Sequence, residues 1–188
     1  TFIEIAEDDA LAITTDAAER AAFGDAHRRL VDGSESAHVS LALTGGNLDE
    51  AGPATFFDLA YASFAFDLIA GPDNWRLVAQ APGDRGIVCG ALSPAADGDE
   101  TRELLVWAAH YAASSNGRGL ARVGLANASS LAGLPRDVAL RKLRIVAEAA
   151  RIAAVESSEE LAGLLDRRAI DPRASASGRR FAPEQRRG

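Results

Sequence analysis

A chain of 188 residues with 47% hydrophobic and 6% aromatic content suits one domain with a sizeable core of Ala, Leu, Val and Ile. The formal net charge of -7 is uneven: from residue 167 onward seven arginines face only Asp171 and Glu184, so the preceding body is strongly acidic. That argues against a nucleic-acid groove, since phosphate binding needs clustered basic side chains. The single cysteine, Cys89, excludes an internal disulfide and points to a reducing compartment. With no long apolar run and no signal peptide, the expectation is a cytoplasmic protein without a membrane or nucleic-acid partner. The chain starts at Thr1 and contains no methionine, which suggests a fragment or a processed product.

Residues 2–7 (FIEIAE) read as a short strand ending in acids. Asp16 and Glu19 have capping-box spacing and open a helix that runs towards Leu30 and stops at Asp32-Gly33. Residues 38–44 (HVSLALT) form a second strand closed by Gly45-Gly46-Asn47, followed by a short helical patch over 55–61. Residues 64–70 (FAFDLIA) form a third strand, broken by Gly71-Pro72, and a short helix over 74–80 takes Trp75 and Leu77 as anchors. Residues 86–92 (GIVCGAL) are a fourth strand. Acids within 97–100 cap a helix over 101–115, which Asn116-Gly117 stops.

The fifth strand, 123–126, leads through a loop of small residues into a helix opened by Pro135, a residue suited to a first helical turn because the amide it lacks would be unpaired there. Val138, Leu143, Val146, Ala150 and Ala153 recur near helical spacing. Strands alternating with helices point to βα units and a parallel sheet. Residues 155–170 read as a polar helical extension. Residues 171–188, dominated by Pro, Ser, Gly and Arg, bury too little apolar surface to offset chain entropy and read as a disordered basic tail.

Three motifs carry a family resemblance across 1–154. Residues 2–11 (FIEIAEDDAL) resemble a strand ending in an Asp-Glu-Pro turn, with Ala6, Glu7 and Asp8 in those places. Residues 42–47 (ALTGGN) resemble a His-x-Cys-x-Gly-Asn strand end, and Leu134-Pro135 resembles a helix entry that follows a cysteine, here Ser129. Together they resemble cobalamin-independent methionine synthase, within the barrel superfamily that includes uroporphyrinogen decarboxylase. The resemblance implies an α/β fold of the (β/α)8 TIM-barrel type with only the last five βα units present. It also implies methyl or alkyl transfer to a thiol held by zinc, since thiolate, imidazole and carboxylate ligands lower the pKa of a bound thiol. In this chain the corresponding set reads Ala42, Thr44, Asp67 and Ser129, which will not hold zinc tightly. No metal ligand and no cofactor are therefore expected.

Barrel enzymes build their sites at the C-terminal ends of strands. Glu7 and Asp67 stand there as candidate catalytic carboxylates, and Asn47, Ser93, Asn127 and Ser129 as candidate substrate-binding residues; each can equally cap a following helix. His38 falls at the opposite end, Cys89 reads as a small buried apolar residue, and His27 and His110 read as surface residues on helices. The functional expectation is a methionine synthase-like domain or fragment with a degenerate zinc site that binds a small thiol or folate-like ligand. The alternatives are a metal-free decarboxylase-like or ligand-binding member, or a non-catalytic half-barrel. Its free edges would pair in a homo-oligomer or with a missing N-terminal barrel half.

Overall fold

The computed structural model describes residues 1–8, 10–34, 36–98 and 101–166; the arginine-rich tail lies outside them. Five strands, β1 (Phe2–Glu7), β2 (His38–Leu43), β3 (Ser63–Asp67), β4 (Gly86–Leu92) and β5 (Val123–Asn127), form one sheet in sequential order. All four pairings are parallel. Each crossover carries helix: α1 (Ala12–Thr15) and α2 (Ala17–Val31), α3 (Pro53–Phe57), α4 (Trp75–Gln80) and α5 (Arg102–Ser114). The chain continues through α6 (Arg136–Ala153) and α7 (Ser158–Leu164). This is an α/β fold matching five consecutive βα units; β1 and β5 are its two edges. No described helix is long and apolar enough to cross a membrane.

Alternation along the strands sorts the two faces. Leu41, Leu43, Phe64, Phe66, Ile87 and Cys89 are fully or almost fully buried beneath the helices. The residues between them, Ala42, Ala65, Val88, Gly124 and Ala126, remain half-exposed on the other face. Helix boundaries follow the sequence signals closely. Asp16 caps α2 by accepting from the amides of Ala18 (2.7 Å) and Glu19 (3.2 Å). At α5 the cap is Thr101, whose hydroxyl accepts from the amide of Leu104; Asp99 and Glu100, expected to serve, lie outside the described residues.

Two expected spans are shorter in the structure. β3 stops at Asp67 because that side chain accepts from the amides of Ile69 (2.9 Å) and Ala70 (2.8 Å) and turns the chain. α3 stops at Phe57, which frees Tyr61 to enter the core with no exposed surface.

Candidate functional site

Two clefts open on the uncovered face of the sheet. One, of about 500 Å³, lies at the strand starts, among Phe2, His38, Ser63, Arg85, Gly86 and Arg122. There His38 Nε2 meets the Ser63 hydroxyl at 2.8 Å and its ring stacks on Phe2. The other, of about 310 Å³, lies at the strand ends and takes residues from all five strands. In parallel βα architectures the helix N-termini and βα loops converge on the strand ends, so the smaller cleft is the candidate site.

Asp67 lines this cleft and is 3% exposed. Its Oδ1 is held by the two loop amides that end β3. Among the described residues no protein donor reaches Oδ2, so half of the carboxylate is fixed and half is available. Glu4 and Asp8 add two more carboxylates to the lining, and the Thr44 hydroxyl donates to Asp8 Oδ1 at 2.9 Å. Across the cleft Asn127 donates to the Ser129 carbonyl at 2.7 Å, with Ser129 and Ser130 beside it. The β4–β5 register shifts between Gly90 and Leu92, opposite Asn127, an irregularity that re-aims side chains near a site. Gly90 is required there because a Cβ would lie 2.6 Å from the Phe66 carbonyl oxygen. Among the described residues no Lys, Arg or His lines the cleft.

Asp67, Asn127 and Ser129 are thus brought together, and three other candidates are not. Glu7 has the strand parity of Ile5 and points to the helix side, where Oε1 lies 3.3 Å from His27 Nε2. Asn47 uses its amide on Asp73, accepting from the backbone N–H (2.9 Å) and donating to the carboxylate (3.1 Å). The Ser93 hydroxyl accepts from the amide of Ala95 and stands outside the lining. The donor set does not fit zinc: Ala42 offers a methyl group, Thr44 and Ser129 offer neutral hydroxyls, and only Asp67 offers charge. Among the described residues no group of three His, Cys, Asp or Glu side chains is placed to hold a metal. Cys89 faces the helices, its thiol against the Ala108 carbonyl, and burial pushes its pKa up to about 12, so it is an unreactive thiol.

Three buried polar residues, one beneath the cleft and two elsewhere in the fold, were not anticipated from the sequence. Asn74 is fully buried. Its carbonyl accepts from the amide of Leu48 (2.7 Å), and its amide donates to the carbonyls of Gly46 and Asp67 (both 2.9 Å). It locks the loops after β2 and β3 together beneath Asp67. Gly71 permits this approach, since a Cβ there would meet the Gly46 carbonyl oxygen at 2.2 Å.

His27, expected on the surface, is 2% exposed. Its Nδ1 lies 2.6 Å from the Tyr61 hydroxyl. A neutral ring satisfies both contacts, accepting from Tyr61 and donating from Nε2 to Glu7. Burial lowers the His27 pKa, against the opposing pull of Glu7. The stripe Phe23, Gly24, His27 and Val31 at helical spacing is the signal that would have placed it inside.

Arg118 is also buried, and its guanidinium donates to the carbonyls of Ala112 (2.6 Å), Ala81 (2.8 Å) and Arg85 (3.0 Å). It fastens the end of α5 to the turn before β4.

No family model matches the chain, and no curated protein matches it by sequence. Among solved structures it is similar to a B12-independent methionine synthase from Shewanella sp. W3-18-1, solved in complex with selenomethionine. The TM-score is 0.66 at 16% identity, and the match covers 87% of this chain and 50% of the other. The likeness is one of fold, and the chain spans about half the length of the protein it matches.

Proposed function

We propose that the chain is a methionine synthase-like βα domain whose strand-end cleft binds a small thiol- or thioether-bearing amine without zinc. The observation that carries the reading is the half-committed carboxylate of Asp67, facing a cleft that holds Glu4 and Asp8 and, among the described residues, no basic side chain. Such a lining attracts an ammonium group and so favours a zwitterionic amino acid, with one carboxylate, over a folate-like molecule that carries several carboxylates and no ammonium. The selenomethionine bound in the structurally similar methionine synthase is the selenoether analogue of such an amine. Thr44, Asn127, Ser129 and Ser130 supply neutral hydrogen-bonding groups around it. Asp67 anchors the ammonium, while Glu7 keeps α2 in place from behind the sheet.

Titration calorimetry with methionine, homocysteine and a polyglutamylated folate tests this. The amino acids bind and the folate does not. Asp67→Asn keeps an oxygen for the Ile69 and Ala70 amides but removes the charge, and weakens binding roughly tenfold or more, the scale of one hydrogen bond to a charged group. Equal affinity in the variant, or selective folate binding, would overturn the reading. Stoichiometric zinc released only by strong chelators would overturn its metal-free part.

A further inference from the structure

We propose that the strand-start cleft is a second ligand site, taking a phosphate monoester whose planar group lies on the Phe2–His38 ring pair. The site is independent of the molecule that the strand-end cleft takes.

The charge of the open face changes along the strands. At the strand ends Glu4, Asp8 and Asp67 line the cleft. At the strand starts, among the described residues, Arg85, Arg122 and His38 line a cleft of about 500 Å³ against one acid, Asp84. Guanidinium groups stay charged at any ordinary pH, so this cleft is positive within a strongly acidic body. Neither arginine is neutralised by a close carboxylate. Arg85 Nε lies 4.0 Å from Asp84, whose side chain is 76% exposed, a contact that contributes little. Arg122 makes no ion pair among the described residues.

The backbone brings these groups together around Gly86. Ser63 pairs with Gly86, and Arg122 directly precedes Val123, the partner of Ile87. Ser63 and Arg122 therefore flank Gly86 on either side, about 10 Å apart at two strand spacings. Gly86 keeps the floor between them open, since a Cβ there would lie 2.8 Å from the Ser63 Cβ. Arg85 is held by one bond, from Nη1 to the Tyr61 carbonyl at 2.5 Å, which leaves its other N–H groups for a ligand. Arg122 makes a single long bond, 3.5 Å to the Arg118 carbonyl. Ser63 is 5% exposed and meets His38 Nε2 at 2.8 Å. With a proton on Nε2 the ring donates to the serine oxygen, and the serine hydrogen turns to the ligand. Donors from several directions suit the three oxygens of a phosphate monoester better than the two coplanar oxygens of a carboxylate.

The rings select what the phosphate carries. Phe2 stacks on His38 with 5.2 Å between centroids, is 64% exposed and lines the same cleft. An exposed aromatic ring beside a charged pocket offers a platform to a planar group. A nucleic-acid strand does not fit, because two arginines in an acidic body balance one phosphate rather than a run of them.

Titration of the full chain with phenyl phosphate, inorganic phosphate and benzoate, read by calorimetry and amide chemical shifts, tests the proposal. Phenyl phosphate should bind about tenfold tighter than either of the others, the scale of one stacking contact, with shifts centred on Gly86 and Gly124. Arg122→Gln, at an exposed position, should weaken it roughly tenfold or more, the scale of a hydrogen bond to a charged group, with the thermal midpoint kept. Arg144→Gln, exposed on α6, should leave binding unchanged. Phe2→Ala should bring phenyl phosphate down to the affinity of inorganic phosphate. Asp84→Asn should tighten binding about two- to fivefold by removing an exposed like charge. No binding of phenyl phosphate, equal affinity for the three probes, equal losses in Arg122→Gln and Arg144→Gln, or shifts confined to the strand ends overturns the proposal.

Discussion

The two faces of the sheet obey opposite rules although their residues alternate along the same strands. On the helix side Leu41, Leu43, Phe64, Phe66 and Ile87 are large and sealed, and stability resides there. On the open side Ala42, Ala65 and Ala126 are small and touch a cleft, so substitution there should change binding more than folding. Face, not depth along the strand, decides what a residue does.

Phe66→Ala should break the sealed face most severely. It removes a ring that meets both Phe56 and Phe57 edge-on and should cost about 3–5 kcal/mol, measurable as a lower urea midpoint at unchanged slope. A smaller loss falls at the strand starts: Arg118→Met leaves several buried carbonyls without donors, a penalty on the order of 3 kcal/mol. A loss below about 1 kcal/mol would mean that water replaces the guanidinium.

The His27 pair should give a pH effect of intermediate size. Its folded pKa lies below the ordinary value of 6.5 because of burial, so the unfolded state takes up the proton first as pH falls. The stabilisation is complete above about pH 6.5 and is lost as pH drops towards the folded value. The thermal midpoint should fall between pH 7.5 and pH 5, and less so in His27→Gln; parallel profiles would assign the acid sensitivity elsewhere. Tyr61, raised to about 12 by burial and by Glu7, works at the other limit, losing its contribution as pH climbs above 10. The smallest effect belongs to the open face: Ala65→Val should shift stability by no more than about 0.5 kcal/mol while reducing amino-acid binding in the cleft.

Much of the fold was legible. Asp16 at the start of α2, Pro135 at the start of α6 and the apolar runs of all five strands are local signals, and the structure places each element within a few residues of them. The lining of the candidate cleft was legible in part. Asp67, Asn127 and Ser129 line it, as their places at strand ends imply. Glu7 shares that position but not that parity, since one residue of register separates the cleft from the helix layer.

The sequence by itself determined the order of strands and helices and the parallel βα class, because periodicity and caps are properties of neighbouring residues. Only the tertiary structure decided that His27 is a buried link between Glu7 and Tyr61, 34 residues away from Tyr61. Likewise Asn74 reaches back 26 residues to Leu48, and Arg118 reaches 37 residues to Ala81. The physical reason is common to all three. A buried polar side chain is tolerable only where its partners converge, and convergence between distant segments exists only once the sheet has brought them together.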